Sequence, residues 1–157
     1  MLSLLLRNLF FTILQPGLAA GVIPYFILGT AVDQVLVQPW QGFRYVALTV
    51  FAIGFIMMIH CILRFVVEGK GTISPVDPTK RLVTHGLYRF SRNPMYVGVM
   101  LILIGEAMFF RSGSLWMYAL IIFVALNIFI LLHEEPRLRK VFGEEYERYC
   151  KNVSRWI

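Results

Sequence analysis

The sequence predicts an all-α integral membrane bundle of four transmembrane helices with a cytoplasmic C-terminal amphipathic helix. Two observations predict it. Of 157 residues, 58% are hydrophobic and 15% charged, too little charge to cover the surface of a water-soluble domain. The apolar residues also gather into four long runs, and about 20 such residues cross the hydrocarbon core as a helix. Inside lipid the backbone has to satisfy its own hydrogen bonds, which leaves helices. The length suits one domain. It divides into two N-terminal spans within 1–67, a cytoplasmic loop at 68–93, a helical hairpin at 94–132 and a cytoplasmic tail helix at 133–157.

The first run, residues 9–28, reads "LFFTILQPGLAAGVIPYFIL". Its start resembles a signal peptide, but the run is long and followed by further apolar runs, so it reads as a retained helix. Pro16 and Pro24 predict a bend, and Gly17, Ala19, Ala20 and Gly21 allow close packing. Residues 29–42 form a short external connection with Trp40 as an interfacial anchor. The second run spans residues 45–67 and carries His60, Cys61 and Arg64 toward its end. The loop "GKGTISPVDPTKRLVTHGLYRFSRNP" is rich in turn formers, and an irregular loop of about 25 residues is more often functional than idle. The third run, 94–110, has 17 residues and is short for a span. Gly98 and Gly105 on it let another helix or a ligand come close. The turn "FRSGS" makes it an antiparallel neighbour of the fourth run, 114–132. In the tail, Leu138, Val141, Phe142, Tyr146, Tyr149 and Val153 share one helical face, with a break expected at Gly143. Glu144 with Arg148 and Glu147 with Lys151 have ion-pair spacing.

Basic residues set the orientation. Of 15 lysines and arginines, only Arg44 and Arg111 fall on the external side; the other 13 lie on one face, which is then cytoplasmic, with both termini. The net charge of +6 reads as topology and contact with anionic membrane lipids, and no nucleic acid is needed to explain it. A bacterial or archaeal inner membrane is the expected location. Cys61 and Cys150 suggest inert thiols rather than a disulfide, and no metal is expected.

The chemistry concentrates where the third span begins. Asn93 is a good N-cap and Pro94 suits the first helical position. A helix N-terminus beside Arg89 and Arg92 is a place for an anion. The end of span four carries "HEEP", residues 133–136, with Glu134 and Glu135 set against the helix dipole unless a cation compensates. The hairpin brings both rims level, so a zwitterion held across a slot between them is expected.

"HGLYRFSRNPMYVG", followed some forty residues on by "EEPRLRKVFGEEYERYCKNVSRWI", resembles the isoprenylcysteine carboxyl methyltransferase and phospholipid N-methyltransferase superfamily. The likeness covers roughly residues 84–157. Gly86 and Tyr88 match its first block; Arg92, Pro94, Tyr96 and Gly98 its second; Glu134 and Glu135 the acidic pair; Phe142, Gly143, Tyr146 and Tyr149 the tail. Asn93 stands where many members have His. The resemblance implies a membrane enzyme that uses S-adenosylmethionine and a lipophilic acceptor: an isoprenylcysteine-like carboxylate or thiol, or a phospholipid amine. It implies cofactor contacts from Gly86, Tyr88, Arg92, Pro94, Tyr96, Glu134 and Glu135; Asn93 and His85, which stand among them, are expected at the cofactor too, with His85 and Arg92 as the catalytic candidates. His85 would take a proton or touch the cofactor; otherwise it bonds the loop backbone. Tyrosines can also face a sulfonium through cation–π attraction.

Other readings remain open at this level. A sterol-reductase-like enzyme would use a nicotinamide cofactor and have little need of Glu134 and Glu135. A small transporter would use Glu106, although that residue also reads as a carboxylate paired with Arg111 or facing the interface. His60 reads as a hydrogen-bonded structural histidine, or as one facing the substrate. The first two spans are available for a second copy of the chain.

Overall fold

A computed structural model describes residues 17–37, 39, 41–67 and 82–157. Among them the regular elements are all helical. They are α1 (Leu18–Leu28), α2 (Ala31–Val37), α3 (Gly42–Val67), a 3-10 turn (Gly86–Arg89), α4 (Pro94–Phe110), α5 (Gly113–Phe142) and α6 (Glu144–Asn152). Two helices, α3 and α5, are long and apolar enough to cross a membrane; α1 and α4 are apolar and shorter. Ile56 and Leu63 on α3 and Met117, Ile121 and Leu132 on α5 stand bare on the outside, as suits helices surrounded by hydrocarbon. Trp40, residues 9–16 of the first expected span and residues 68–81 of the expected loop lie outside the described residues. The connection after α1 is not plain coil, as it contains α2. Gly29, at φ 51, turns the chain out of α1, and its carbonyl receives the Val32 N–H at 3.4 Å as the next helix starts.

Prolines inside α1 and α5 are each preceded by one wide, π-helical turn. Proline has no N–H, and its ring strikes the carbonyl four residues back; one extra residue in the turn moves that carbonyl aside. Before Pro24 the wide turn is Leu18–Val22, closed by the Ile23 N–H on the Leu18 carbonyl. Before Pro136 it is Ile130–Glu134, closed by the Glu135 N–H on the Ile130 carbonyl. This device lets α5 run unbroken from its apolar stretch into the charged tail, where the sequence predicted a separate helix from residue 133. The break comes at Gly143, whose φ of 52 needs glycine.

The bundle is held by close contact of α3 with α4. A Cβ placed on Gly54 would lie 2.6 Å from the Gly98 carbonyl oxygen, and one on Gly105 would lie 2.8 Å from Phe51. Glycines here replace side chains with backbone-to-backbone packing. Around the contact, Met58, Val99, Ile102, Leu103 and Ala119 form the core. The α4–α5 hairpin turns at Arg111, whose φ is 49, and the Ser112 hydroxyl accepts the Leu115 N–H at 3.3 Å to cap α5.

Two expected ion pairs are corrected. Arg111 does not pair with Glu106. Its guanidinium lies 5.3 Å from the Phe43 ring centre, and the Glu106 Oε2 is buried without a hydrogen bond. Five residues along, a side chain has moved about 140° round a helix of 3.6 residues per turn. Likewise Glu147 turns to Arg139, at 3.5 Å, rather than to Lys151.

Candidate functional site

The site assembles at one end of the bundle from four pieces: the end of α3, the 3-10 turn, the start of α4, and the last turns of α5 with α6. Pro94 opens α4 as expected, but Asn93 does not cap it with its side chain. The Asn93 amide instead donates to the Arg155 carbonyl at 3.0 Å. That carbonyl also receives the Ser91 hydroxyl at 3.3 Å, and the Arg92 N–H donates to the Ser154 carbonyl at 2.9 Å. The chain after α6 thus lies across the entrance to α4 as a strap. Its next residue, Trp156, donates from Nε1 to the Asn127 Oδ1 at 3.1 Å and packs against Phe123 on α5.

Glu135 is the electrostatic centre of the strap. Arg155 grips it with two hydrogen bonds, at 2.8 and 3.1 Å. Arg92 approaches at 3.2 Å and Arg139 at 4.0 Å. Burial raises the Glu135 carboxyl, but the Arg155 hydrogen bond and the charges of Arg92, Arg155 and Arg139 hold it below its ordinary value. The hydrogen bond to Glu135 in turn raises Arg155. The positive and negative rims are therefore not separated by a slot. Opposite charges on adjacent helix ends have closed directly on one another, because a buried carboxylate needs its counter-charge at contact distance.

Glu134 behaves differently. Burial raises its carboxyl, while the hydrogen bond from Tyr96 and the charge of Arg137 act the other way; the Tyr96 hydroxyl donates to Oε2 at 2.9 Å, so the second oxygen retains capacity for a further donor or cation. Arg92 also has a spare donor: its Nε is buried without a partner, while one of its terminal nitrogens meets the Cys150 Sγ at 2.8 Å. Tyr96→Phe is expected to lower stability by about 2 kcal/mol, the value of a hydrogen bond to a charged group. Thermal unfolding in detergent measures it; an unchanged midpoint would discount that bond.

The loop between α3 and α4 joins this cluster to α3. Tyr88 is buried against Cys61 and Val83 rather than lining an open face, its hydroxyl is hydrogen-bonded to Cys61, and burial holds it well above the usual tyrosine range. Tyr149 on α6 donates to the Tyr88 carbonyl at 2.6 Å. His85 is exposed at the start of the 3-10 turn. Gly86 takes φ 64, and a Cβ there would lie 3.0 Å from the His60 Nε2 and 3.3 Å from the Arg64 Nε. Arg92, Tyr96, Glu134 and Glu135 thus stand together, with Asn93 and Pro94 under the strap, while His85 and Gly86 stand on the α3 side. Sequence reasoning missed Cys150, Arg155 and Trp156, and counted Arg64 only as a topology charge. Asn127, alone among apolar residues in α5, was the visible signal for a partner such as Trp156.

A sequence profile described as phospholipid methyltransferase matches residues 43–145. The chain belongs to that family. The matched region covers α3, the 3-10 turn, α4, α5 and the start of α6, so the phospholipid methyltransferase family likeness includes most of the site. Individual relatives fall in line. A probable protein-S-isoprenylcysteine O-methyltransferase of Oryza sativa subsp. indica is 35% identical over 74 residues, covering 46% of this chain and 38% of that protein. A methanethiol S-methyltransferase of Pseudomonas deceptionensis is 29% identical over 130 residues, 81% of this chain and 45% of that protein. An uncharacterized protein of Haemophilus influenzae is 33% identical over 63 residues, 40% of this chain and its own full length. The chain thus spans less than half the length of these methyltransferase relatives. No solved structure matches it.

Proposed function

We propose that this chain is an integral membrane methyltransferase that moves a methyl group from S-adenosylmethionine to a lipophilic acceptor, with its site on the cytoplasmic face of a four-span bundle. The distribution of basic residues supports the topology, and membership of a methyltransferase family supports the reaction class. The observation that carries the cofactor reading is a pair of groups with spare capacity where the start of α4 meets the end of the apolar part of α5: the buried Arg92 Nε without a partner and the Glu134 carboxylate, hydrogen-bonded by Tyr96. A guanidinium N–H suits the donor's carboxylate, and a carboxylate suits its ammonium or sulfonium, so the residues present fit a zwitterionic sulfonium nucleoside.

S-adenosylmethionine supplies a methyl group already activated by the positive sulfur. What remains for the protein is to bind, orient and dehydrate. Arg92 has one terminal nitrogen fixed by Glu135 and Cys150, so its Nε–H is held in place for an anion. Tyr96 fixes Glu134 from one side, and Arg137 adds positive charge nearby, so a bound ammonium or sulfonium would share that carboxylate. Glu135 is fully engaged by arginines and serves to position Arg92. The apolar outer faces of α3 and α5 suit an acceptor that arrives from the bilayer, an isoprenylcysteine-like carboxylate or thiol, or a phospholipid amine.

Glu134→Gln and Arg92→Lys are each expected to weaken S-adenosylmethionine and S-adenosylhomocysteine binding about tenfold or more, in line with the loss of a charge-assisted hydrogen bond. Calorimetric titration of the detergent-solubilised chain reads this directly. Equal affinity in wild type and both variants would sink the assignment of these groups to the cofactor.

A further inference from the structure

His60 and Arg64 lie one helical turn apart on α3, and both reach the same backbone point. A side chain on Gly86 would meet the His60 Nε2 at 3.0 Å and the Arg64 Nε at 3.3 Å. Among the described residues His60 makes no hydrogen bond or ion pair, although it is half-buried at the polar end of its helix. The 3-10 turn that carries Gly86 also carries Tyr88, whose ring lies against Cys61 on α3 and which feels the charge of Glu134. One short turn therefore separates an idle imidazole and a guanidinium from the Arg92–Glu134 cluster.

We propose that His60 and Arg64 form the acceptor side of the site, with His60 as the proton acceptor for a lipophilic thiol and Arg64 as the charge that favours its thiolate. This rests on the methyl-transfer reading above. The choice of a thiol follows from the charges. A thiol uses both groups, a base for its proton and a cation for its thiolate, and a carboxylate needs no base; a phospholipid amine would reach Arg64 through its phosphate, so methylation of aminophospholipid in place of the thiol also overturns the choice. In the step, the acceptor S–H bond breaks and its proton moves to the His60 Nε2. The sulfur electron pair forms the new C–S bond with the donor's methyl carbon. The bond from that carbon to the donor's sulfonium breaks, with its electron pair staying on the donor sulfur, which becomes a neutral thioether. His60 then returns the proton to water. The titratable groups toward the His60 end of the elements packed there are Cys61 and Arg64 on α3, His85, Tyr88, Arg89 and Arg92 around the 3-10 turn, and Tyr96 at the start of α4; Arg44, Tyr45 and Glu106 lie toward the other end of α3 and α4.

The test uses the full chain in detergent and a long-chain alkanethiol. Without any methyl donor, wild type at neutral pH should give the ultraviolet difference band of a bound thiolate. His60→Gln should remove it, and Arg64→Gln should diminish it. With S-adenosylmethionine, His60→Gln should lower kcat/KM for the thiol about 100-fold, within the usual range for a general base. The loss should shrink as pH rises toward the thiol's own pKa, while donor affinity by calorimetry stays unchanged. A thiolate band of equal strength in all three proteins overturns the proposal. So does a rate loss independent of pH, or a wild type that binds the donor yet neither ionises nor methylates the thiol. If wild type fails to bind the donor, the methyl-transfer reading falls, whereas the donor-free band still decides the role of His60.

Discussion

Glu135→Ala should destabilise the protein by about 3–5 kcal/mol, the usual penalty for removing one partner of a buried ion pair. Glu135 is only 4% exposed, and Arg155, Arg92 and Arg139 all converge on it. Its removal leaves three guanidiniums facing one another at the start of α4. It also frees the strap, because Arg155 loses both of its carboxylate hydrogen bonds. Arg92 would then be held by Cys150 alone, so donor affinity should fall together with stability. The pH dependence has a definite sign. Glu135 lies three residues past the apolar stretch, and its folded pKa is depressed. Its contribution is therefore complete above the ordinary carboxylate pKa and is lost as pH falls through the depressed value. Thermal unfolding of wild type in detergent should weaken on acidification, and Glu135→Ala should flatten that acid limb. If the variant unfolds at the wild-type temperature with the same pH profile, the three-arginine contact has no energetic weight.

Gly54→Ala is the second large effect, expected to lower stability by about 1–3 kcal/mol, the range for inserting one methyl group where there is no space. The added carbon would lie 2.6 Å from the Gly98 carbonyl oxygen and 2.8 Å from the Ile102 nitrogen. Both are backbone atoms of α4, so relief requires the helices to separate. Separation at Gly54 is transmitted to the site, because His60 and Arg64 sit at the polar end of the same helix. Thermal unfolding of Gly54→Ala, with Ala52→Gly on the exposed face of α3 as control, distinguishes crowding from helix propensity, since the control changes propensity at an exposed position of the same helix. An alanine at Gly54 with wild-type stability would mean that the α3–α4 contact is looser than these distances imply.

Much of this arrangement was legible in the residues. Pro94 after Asn93 marks the start of α4 by local backbone rules, and the hairpin loop of α4 and α5 is too short for any other connection. Gly98 and Gly105 foretold a close neighbour, though not that Gly54 and Phe51 on α3 would meet them. What stayed hidden depends on contacts between distant residues. Asn93 has the chemistry of a cap, but a carbonyl 62 residues further on offered its amide a better partner. The opposed rims were placed correctly at one end of the hairpin; their direct closure follows from Arg155, a residue whose neighbours in sequence give no sign of where it folds. Tyr88 reads in the sequence as a cofactor contact; its burial against Cys61 on α3 depends on a packing that the residues around it do not reveal. Local patterns fix helices and turns, whereas pairings across the bundle arise only when the helices are packed.

The wide turn before Pro136 carries a consequence for counting residues. Arg155 and Trp156 are adjacent, yet one holds Glu135 and the other Asn127, anchors on either side of that turn. The strap therefore acts as a ruler laid across a segment containing one surplus residue. Delete a single residue within the wide turn and it can close to an ordinary α-turn, which keeps both glutamates in register but returns the Pro136 ring to the carbonyl four residues back. Insert one instead and every position beyond swings by about 100°, so a scan of single deletions and insertions through positions 128–133 should find deletions the better tolerated.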